Sequence, residues 1–432
     1  MNKIPTLIMR CIYYANFMLF MLLLFACSKS EETKQETYDP NIPIEISDFS
    51  PTVGSAATKI VISGRNFGSD TSQVRVHIGE KQAKVIGVSP TKIYATVPRR
   101  LAPTNTISVT IADQQKIAEK QFEYQILQSV NTLSGRVNAD GSGGQADGPL
   151  AQAMYNDPKY LAIDNENNLF VLQYLASKNI RKINIANNSV SSIPSGPFSS
   201  AYGITIRRSD NTPFICDRDG APKTMFQLSP FNSWQPALVF NDNDNIFSYP
   251  LDIVYSAPDN VFYIQEYVSG KIIAIDGNNF VSLGEVYRTN VNELNRITLD
   301  REGNLYIART SSHYILKVNP KTGTSEVFAG AQGATGAQNG PKLNARFNNP
   351  EQMVFDDEGN LFVADRGNHC IRKISVTGEV SVYGGQPGKS GYADGAPQMS
   401  LFNQPTGLAF DSEGTLYVAD WKNHRIRTII VE

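Results

Sequence analysis

Short apolar runs alternate with turns rich in Asp, Asn and Gly along most of the chain, and this pattern repeats. The two most similar copies are residues 349–374 and 404–429, in which every hydrophobic position recurs in phase after about 55 residues. Within a copy, three or four runs alternate apolar and polar positions and are rich in β-branched and aromatic residues. Such runs predict β-strands. A period of this length predicts a closed or stacked repeat architecture.

Weaker copies of the same pattern occupy earlier parts of the chain. Four segments fit the frame, at residues 160–185, 203–228, 253–275 and 299–317. The second of these is degenerate, with its apolar centre at residues 214–216. The chain therefore carries six copies.

A short motif, Asn-His-x-Ile-Arg, follows the central strand of the strongest copies. It is complete at residues 368–372 and 423–427, and partial at 179–181 and 312–315. Together with the preceding strand of the last copy, Leu-Tyr-Val-Ala-Asp, it resembles the NHL repeat family. The resemblance covers residues 128–432 and implies a β-propeller of four-stranded blades. Six copies then imply six blades.

The two ends of the repeat region predict which segments pair to close the ring. The final copy stops before a fourth strand comparable to residues 379–385, whereas a run of strand character precedes the first copy at residues 130–135. We expect this early segment to pair with the last copy, because a blade without its fourth strand would leave an open edge.

Residues 1–26 have the layout of a secretory signal. Cationic Lys3 and Arg10 precede an apolar run over residues 17–26. Cys27 follows directly, and this junction resembles a bacterial lipobox, which implies that Cys27 is lipidated and becomes the mature N-terminus. The alternative is an ordinary signal peptide or membrane anchor, although the run is short and very N-terminal for a membrane span.

A polar segment, residues 27–40, comes next and is predicted to be a flexible tether. Ser28 directly after the cysteine favours the outer membrane in the lipoprotein pattern. The acidic stretch 28–32 resembles tethers with which some Gram-negative bacteria send lipoproteins to the cell surface. The expected location is the outer membrane, with a lipid anchor and the body facing the cell exterior.

The block formed by residues 41–126 shows short strand patterns at the spacing of a β-sandwich. Ser-Pro-x-x-Gly at residues 50–54 leads into Ile-x-Gly-x-Asn-Phe-Gly at residues 62–68. This arrangement resembles the IPT/TIG family of immunoglobulin-like domains and implies a spacer, with direct ligand binding as the alternative. The whole sequence thus predicts an all-β protein, in which an Ig-like β-sandwich precedes a six-bladed β-propeller over residues 128–432.

Charge and cysteine content exclude some partners and bonds. The chain has 39 Lys and Arg against 41 Asp and Glu, a formal net charge of −2, so no overall field attracts nucleic acid. Outside the signal region only Cys216 and Cys370 remain, in the second and fifth copies, which would lie far apart around a ring. We expect small core residues at both positions rather than a disulfide.

Three connections between copies are long, at residues 135–158, 330–350 and 384–405. Each has Gly-rich turns, an Asp-Gly or Asn-Gly pair, and then an aromatic residue. These aromatics are Tyr155, Phe347 and Phe402. Because the loops lead into blades one, five and six, which are neighbours around the ring, long loops would project from half of one face and short loops from the other half. Alternatively, the loops pack only on one another, and each aromatic fills the gap between two blades.

The residues that end the second strand of each copy would form a ring near the mouth of the channel. In chain order they are Gln173, Asp217, Glu266, Arg309, Asp365 and Asp420. The next residues outward are Tyr174, Arg218, Tyr267, Thr310, Arg366 and Trp421. Aromatic faces that stack on a pyranose, with carboxylate and Arg groups that bond its hydroxyls, suit a sugar.

Ligand-binding candidates come from these two rings and from one nearby loop. They are Tyr174, Asp217, Arg218, Glu266, Tyr267, Arg309, Arg366, Trp421 and Trp234. Asp365 and Asp420 have a structural alternative, because Asp before a Gly or Asn turn commonly caps that turn. Asp217 and Glu266 are also the candidate pair for acid and base in glycoside cleavage.

The histidines do not predict a metal site. His313, His369 and His424 occupy the same repeat position on three adjacent blades, too far apart to share a zinc ion with ligand distances of about 2 Å. The sequence has no nucleophile motif, Cys/His cluster or phosphate loop. No metal and no other cofactor are predicted.

The sequence favours a cell-surface lipoprotein that binds a polysaccharide or glycoconjugate, without catalysis, in a nutrient-uptake system. The loop face of the propeller would hold the ligand, and the partners would be a glycan or a surface protein, the membrane through Cys27, and no nucleic acid. One alternative is a protein–protein adhesion or assembly module. The other is a polysaccharide hydrolase or lyase. Fold alone does not decide among them.

Overall fold

The computed structural model describes residues 37–431, except 100, 174–179, 195, 197–199, 219–223, 242–246 and 248. The chain divides into two compact units after Gln125. Both consist of β-strands with a few short 3₁₀ helices, so the expected all-β class is confirmed. The helices are Thr71–Gln73, Pro230–Asn232, Thr310–Ser312, Arg366–Asn368 and Trp421–Asn423.

The first unit is an eight-stranded sandwich. Its strands are β1 (Glu45–Ser50), β2 (Val53–Gly54), β3 (Lys59–Arg65), β4 (Val74–Ile78), β5 (Lys81–Ser89), β6 (Lys92–Thr96), β7 (Thr104–Ile111) and β8 (Gln114–Tyr124), in the order β1-β3-β6-β5-β4-β7-β8-β2. Strand β5 pairs with β4 through its first residues and with β6 through the rest, so it joins the two halves. Alternate residues such as Ile60, Ile62, Val76 and Ile78 are fully buried and form one core.

The glycine and asparagine of the motif at residues 62–68 have direct structural roles. A Cβ on Gly64 would clash with the carbonyl oxygen of Glu45 on the neighbouring strand. Asn66 adopts a positive φ of 62°, and its amide nitrogen donates to the carbonyls of Asp39 and Ile42. The motif therefore fixes the start of the domain against the turn that follows β3.

The second unit contains six sheets, one for each copy of the repeat; five have four strands and the sheet of blade five has five. Blade one has β10 (Pro158–Ile163), β11 (Asn168–Gln173), β12 (Ile180–Asn184) and β13 (Ser189–Ser192). Blade two has β14 (Ala201–Arg207), β15 (Thr212–Asp217), β16 (Thr224–Leu228) and β17 (Pro236–Asn241). Blade three has β18 (Pro250–Ser256), β19 (Val261–Glu266), β20 (Lys271–Asp276) and β21 (Ser282–Arg288). Blade four has β22 (Asn295–Leu299), β23 (Leu305–Arg309), β24 (Tyr314–Val318) and β25 (Ser325–Gly330). Blade five has β27 (Pro350–Phe355), β28 (Leu361–Asp365), β29 (Cys370–Ile374) and β30 (Glu379–Gly384), and the short strand β26 (Gly340–Pro341) extends it. Blade six has β31 (Pro405–Phe410), β32 (Leu416–Asp420), β33 (Arg425–Val431) and β9 (Gln128–Ser134).

The six first strands contact one another in a closed circle around a central channel. Each of β10, β14, β18, β22, β27 and β31 lies against the next, and β31 lies against β10. The second strands are buried along their whole length in blades one, four, five and six, since both of their faces pack against neighbouring blades. The six-bladed propeller is confirmed.

The last sheet is completed from the other end of the repeat region, as expected. Strand β9 pairs antiparallel with β33 from Ser134 opposite Ile426 to Gln128 opposite Val431. Val130 is fully buried in the same apolar cluster as Phe402 and Ile429. The ring thus closes without leaving β33 as an open edge.

Candidate binding site

At one end of the propeller the second strand of each blade ends and the first and third strands begin; we call this end the loop face. The predicted ring at the ends of the second strands lies here, and all six of its members are buried. In five blades the ring side chain accepts a backbone N–H from the segment that enters its own blade. The donors are Asn156 to Gln173 (2.7 Å), Ser200 to Asp217 (2.8 Å), Tyr249 to Glu266 (2.8 Å), Asn348 to Asp365 (2.7 Å) and Asn403 to Asp420 (2.7 Å). In these five blades the ring side chain therefore fixes the second strand to the segment that enters the blade.

The two carboxylates considered for acid–base chemistry are part of this fastening. Glu266 is fully buried, and its Oε1 accepts N–H groups of Tyr249 and Val268 at 2.8 and 2.9 Å. Its Oε2 accepts from both the N–H and the hydroxyl of Ser269. All of the acceptor capacity of Glu266 is thus directed to the protein, and Asp217 is only 1% exposed. This geometry gives the acid–base pair no support.

Buried arginines organise the three long loops. Arg181, Arg372 and Arg427 take the same position on the third strands of blades one, five and six, and all are 0% exposed. Each donates to two or more loop groups that include the Asx side chain of the Asx-Gly pair. Those side chains are Asp147, Asn339 and Asp394. Charge-assisted hydrogen bonds from these arginines therefore attach the long loops to the third strands of blades one, five and six.

The loop aromatics fill the gaps between blades, as one interpretation of the sequence held. Tyr155, Phe347 and Phe402 are fully buried. The guanidinium carbon of the corresponding buried arginine lies 5.2, 5.3 or 5.1 Å from the ring centroid. Such contacts between a cation and an aromatic face are attractive. These three rings are consequently part of the loop core and do not face solvent.

Two ring carboxylates pair with these arginines. Asp365 Oδ2 lies 3.0 Å from Arg372 Nη1, and Asp420 Oδ2 lies 2.9 Å from Arg427 Nη1. Burial raises the pKa of both carboxyls to about 6, and the adjacent arginines limit that rise. Both also accept from the Asn side chain three residues later, at 2.7 Å. The turn-cap interpretation of Asp365 and Asp420 agrees with this geometry.

The repeat histidines bond the ends of the same three loops. His313, His369 and His424 have positive φ values of 66°, 58° and 54°. Each Nδ1 accepts a backbone N–H from the next blade, with donors Asn349, Gln404 and Asp157 at 3.1, 3.1 and 3.2 Å. Burial lowers the pKa of all three imidazoles, which keeps Nδ1 an acceptor. Within the described part of the chain, no three His, Cys, Asp or Glu side chains are grouped as metal ligands would be.

A cluster that the sequence did not indicate closes the channel on this face. It is built around Arg296, the second residue of β22, which is 3% exposed. Arg296 donates to the carbonyl of Leu251 at 2.6 Å and to the hydroxyl of Tyr160, and its Nε lies 3.3 Å from Glu351 Oε2. One side chain of blade four thus connects blades one, three and five across the axis. We call Tyr160, Tyr202, Arg296 and Glu351 the central cluster.

Three of the predicted ligand residues are arranged around this cluster. Arg366 Nε lies 3.1 Å from Glu351 Oε1, and the Arg218 guanidinium lies 4.1 Å from the ring centroid of Tyr202. Lys159, which precedes Tyr160 in β10, places its Nζ 4.3 Å from the ring of Trp421. Burial lowers the pKa of Lys159 to about 8; Glu351 opposes this shift, and Arg296 and Arg366 add to it.

The remaining candidates have different environments. Tyr267 is partly buried against the apolar cluster that contains Tyr160 and Tyr202, so it also borders the mouth. Arg309 is buried and bonds Glu293 and the hydroxyl of Tyr314.

Trp234 lies away from the mouth. It belongs to the hairpin between β16 and β17, which is at the opposite end of the strands from the loop face. Its ring packs 5.4 Å from that of Phe170. Two further predictions, ligand contact by Tyr174 and lipidation of Cys27, fall outside the described residues.

Cys216 and Cys370 are buried and not bonded to each other, as expected. Among the residues that the structure describes, no helix has the length and apolar character to cross a membrane.

Comparison with protein-family models identifies both parts of the chain. Residues 43–124 match the IPT/TIG domain, and residues 347–374 and 402–429 match the NHL repeat. Both resemblances seen in the sequence are therefore confirmed.

Solved structures share this fold over almost the whole chain. An auxiliary nutrient binding protein from Bacteroides thetaiotaomicron is 26% identical, with a TM-score of 0.63 over 92% of this chain and 99% of that one. A protein of the same description from Bacteroides ovatus is 23% identical, with a TM-score of 0.67 over 92% of this chain and 100% of that one. The second likeness, at its lower identity, shows the fold alone.

A curated relative is much longer than this chain. SUPPRESSOR OF QUENCHING 1, a chloroplastic protein of Arabidopsis thaliana, is 26% identical over 314 residues, which are 68% of this chain. The aligned region is 27% of the plant protein, so this chain spans about a quarter of its length.

Proposed function

We propose that this protein, an IPT/TIG domain joined to an NHL-repeat propeller, is a non-catalytic binding protein of a nutrient-uptake system. Its ligand is a polysaccharide or glycoconjugate held on the loop face. The observation that carries the proposal is the likeness to the auxiliary nutrient binding protein of B. thetaiotaomicron, which is 26% identical and extends over both parts of the chain.

The mouth of the channel supports a saccharide ligand on chemical grounds. The partly exposed residues there include two aromatics, Trp421 and Tyr267, and two cations, Arg218 and Arg366. Aromatic faces stack on sugar rings, and guanidinium groups donate paired hydrogen bonds to oxygen atoms. The buried arginines hold three loops around this mouth in one conformation, which reduces the entropy lost on binding.

Replacing Trp421 with alanine is expected to weaken glycan binding about tenfold or more, since truncation of a central aromatic commonly has the largest effect at an interface. Affinity electrophoresis of the chain from Ser28 onward, against a panel of neutral and acidic polysaccharides, measures the effect. Trp234→Ala is the matched control, because that tryptophan lies at the opposite end of the strands and should leave retardation unchanged.

The same electrophoresis separates the proposal from its alternatives. Absence of retardation by any polysaccharide, with capture of a surface protein by the immobilised chain, would assign the protein to adhesion or assembly. Release of shortened saccharides, abolished by Asp217→Asn, would assign it to the hydrolases or lyases.

We also propose that Cys27 is lipidated and anchors the protein to the outer membrane, facing the cell exterior. Cys27→Ala is expected to abolish incorporation of an alkyne-labelled fatty acid and to move the protein out of the membrane fraction. Cys11→Ala, within the signal region, is the control and should be processed normally. Persistence of Cys27→Ala in the membrane fraction would favour an uncleaved anchor, and resistance to protease added to intact cells would contradict the external location.

A further inference from the structure

The layer of the mouth that faces solvent differs in charge from the layer beneath it. Lys159 is partly exposed, and the Arg366 side chain is 22% exposed. Two nearby carboxylates are lower, with the Glu351 side chain 5% exposed and Asp252 9% exposed. In a third, Asp157, the side chain is 24% exposed and Oδ1 lies 3.4 Å from Lys422 Nζ. The exposed layer thus presents the cations Lys159, Arg366 and Lys422 against the one carboxylate of Asp157, and a ligand approaching the mouth meets an excess of positive charge.

The deeper carboxylates are already engaged by the protein. Asp252 accepts the N–H groups of Ile253 and Ile297 at 3.0 and 2.9 Å. Glu351 is placed between two guanidinium groups, with Arg296 Nε at 3.3 Å from one oxygen and Arg366 Nε at 3.1 Å from the other. The carboxylates thus hold the cations in place and are not directed at a ligand.

Positive groups around Glu351 outnumber it. Lys159, Arg296 and Arg366 interact with this glutamate, while Asp157 also acts on Lys159 and Asp252 also acts on Arg296. Burial and repulsion from the two arginines lower the pKa of Lys159, and Glu351 and Asp157 oppose that shift. Lys159 Nζ and Lys422 Nζ both lie over the ring of Trp421, at 4.3 and 4.0 Å from its centroid. An anion bound above these cations would reduce their mutual repulsion.

We propose that the mouth recognises acidic saccharides, with Lys159 and Arg366 binding a carboxylate or sulfate group beside Trp421. This inference rests on the proposed function and narrows its ligand class. A carboxylate and a sulfate present similar oxygen anions to a Lys and Arg pair, so both chemistries fit the same groups.

Affinity electrophoresis with four immobilised probes tests the inference. Polygalacturonate supplies carboxylates, dextran sulfate supplies sulfates, and carboxyl-reduced polygalacturonate and unmodified dextran are their neutral counterparts. The chain from Ser28 onward should be retarded by at least one acidic probe and not by its neutral counterpart, and which acidic probe acts identifies the anion.

Paired variants locate the interaction. Loss of one charge-assisted contact weakens binding about tenfold, so Lys159→Gln with Arg366→Gln should weaken it about a hundredfold. Arg301→Gln with Lys321→Gln is the matched control, because it removes the same charge from exposed side chains on turns at the opposite face. Lys159→Arg with Arg366→Lys should retain most of the binding, which distinguishes lost charge from lost folding.

The outcomes separate this inference from the function on which it rests. Equal retardation by an acidic probe and its neutral counterpart, or equal loss in the matched control, would overturn the acidic ligand while leaving saccharide binding in place. Retardation by none of the probes would overturn the acidic ligand, and extension of that result to the whole polysaccharide panel would overturn saccharide binding as well.

Discussion

Replacing Arg427 with methionine is expected to lower the free energy of unfolding of the propeller by about 3–5 kcal/mol, the usual cost of breaking a buried ion pair from one side. Arg427 is 0% exposed and bonds Asp420, Asp394 and the carbonyls of Leu401 and Ala393. Methionine keeps apolar contact with the loop but leaves the buried Asp420 without its cation. Denaturant unfolding followed by tryptophan fluorescence measures the change.

Fluorescence reports on the correct unit because both tryptophans of the chain belong to the propeller. Arg425→Met, two residues earlier on the same strand, is the matched control. Arg425 is only partly buried and donates to the carbonyl of Asn423 at 2.9 Å, so its loss should cost less than about 1 kcal/mol. Similar costs for the two variants would contradict the role given to the buried arginine.

Replacing Val130 with aspartate is expected to open the ring. Val130 is fully buried beside Phe402 and Ile429, and its N–H and carbonyl bond Gly395 at 2.8 and 2.9 Å. A carboxylate buried there without a partner would cost about 3–5 kcal/mol. Release of β9 would expose β33 as an unpaired edge, so the variant should also associate with itself.

Light scattering and the unfolding midpoint test this expectation together. Asn131→Asp adds the same group to the next residue of β9, whose side chain is exposed, and should change neither measurement appreciably. A Val130→Asp protein that remains monomeric and as stable as the parent would show that the ring does not depend on this strand.

Much of the fold could be predicted because burial imposes a period on the sequence. The copies at residues 349–374 and 404–429 keep their apolar positions in phase, since each second strand is buried on both faces. The closing strand was also predictable, because the last copy lacks a strand and the segment before the first copy supplies one.

The site was less predictable because sequence position does not reveal where a polar side chain directs its hydrogen bonds. Asp217 and Glu266 end their strands near the mouth, yet they bond the backbone of their own blades. The central cluster joins Tyr160, Arg296 and Glu351 across the channel, and the period of the repeat does not reveal that these side chains meet.

Two signals in the sequence do correspond to these features. The second residue of the first strand differs in chemical type from blade to blade; it is Lys159, Tyr202, Leu251, Arg296, Glu351 and Thr406 in blade order. The buried arginine occurs only in the three blades entered by long loops, whereas the other blades have Phe226, Ile273 and Leu316 at that position. Both signals become visible only when the copies are aligned and the positions at which they differ are considered.

Closure of the ring by β9 also has a kinetic consequence. Asn131 and Thr428 are hydrogen-bonded although 297 residues separate them in the chain. Pairing across such a separation closes a very large loop, and high contact order of this kind slows folding. Strand β9 is the first propeller strand to be synthesised, and it cannot pair until the last strand, β33, has been made. A nascent chain, or one that is truncated before β33, has no partner for β9.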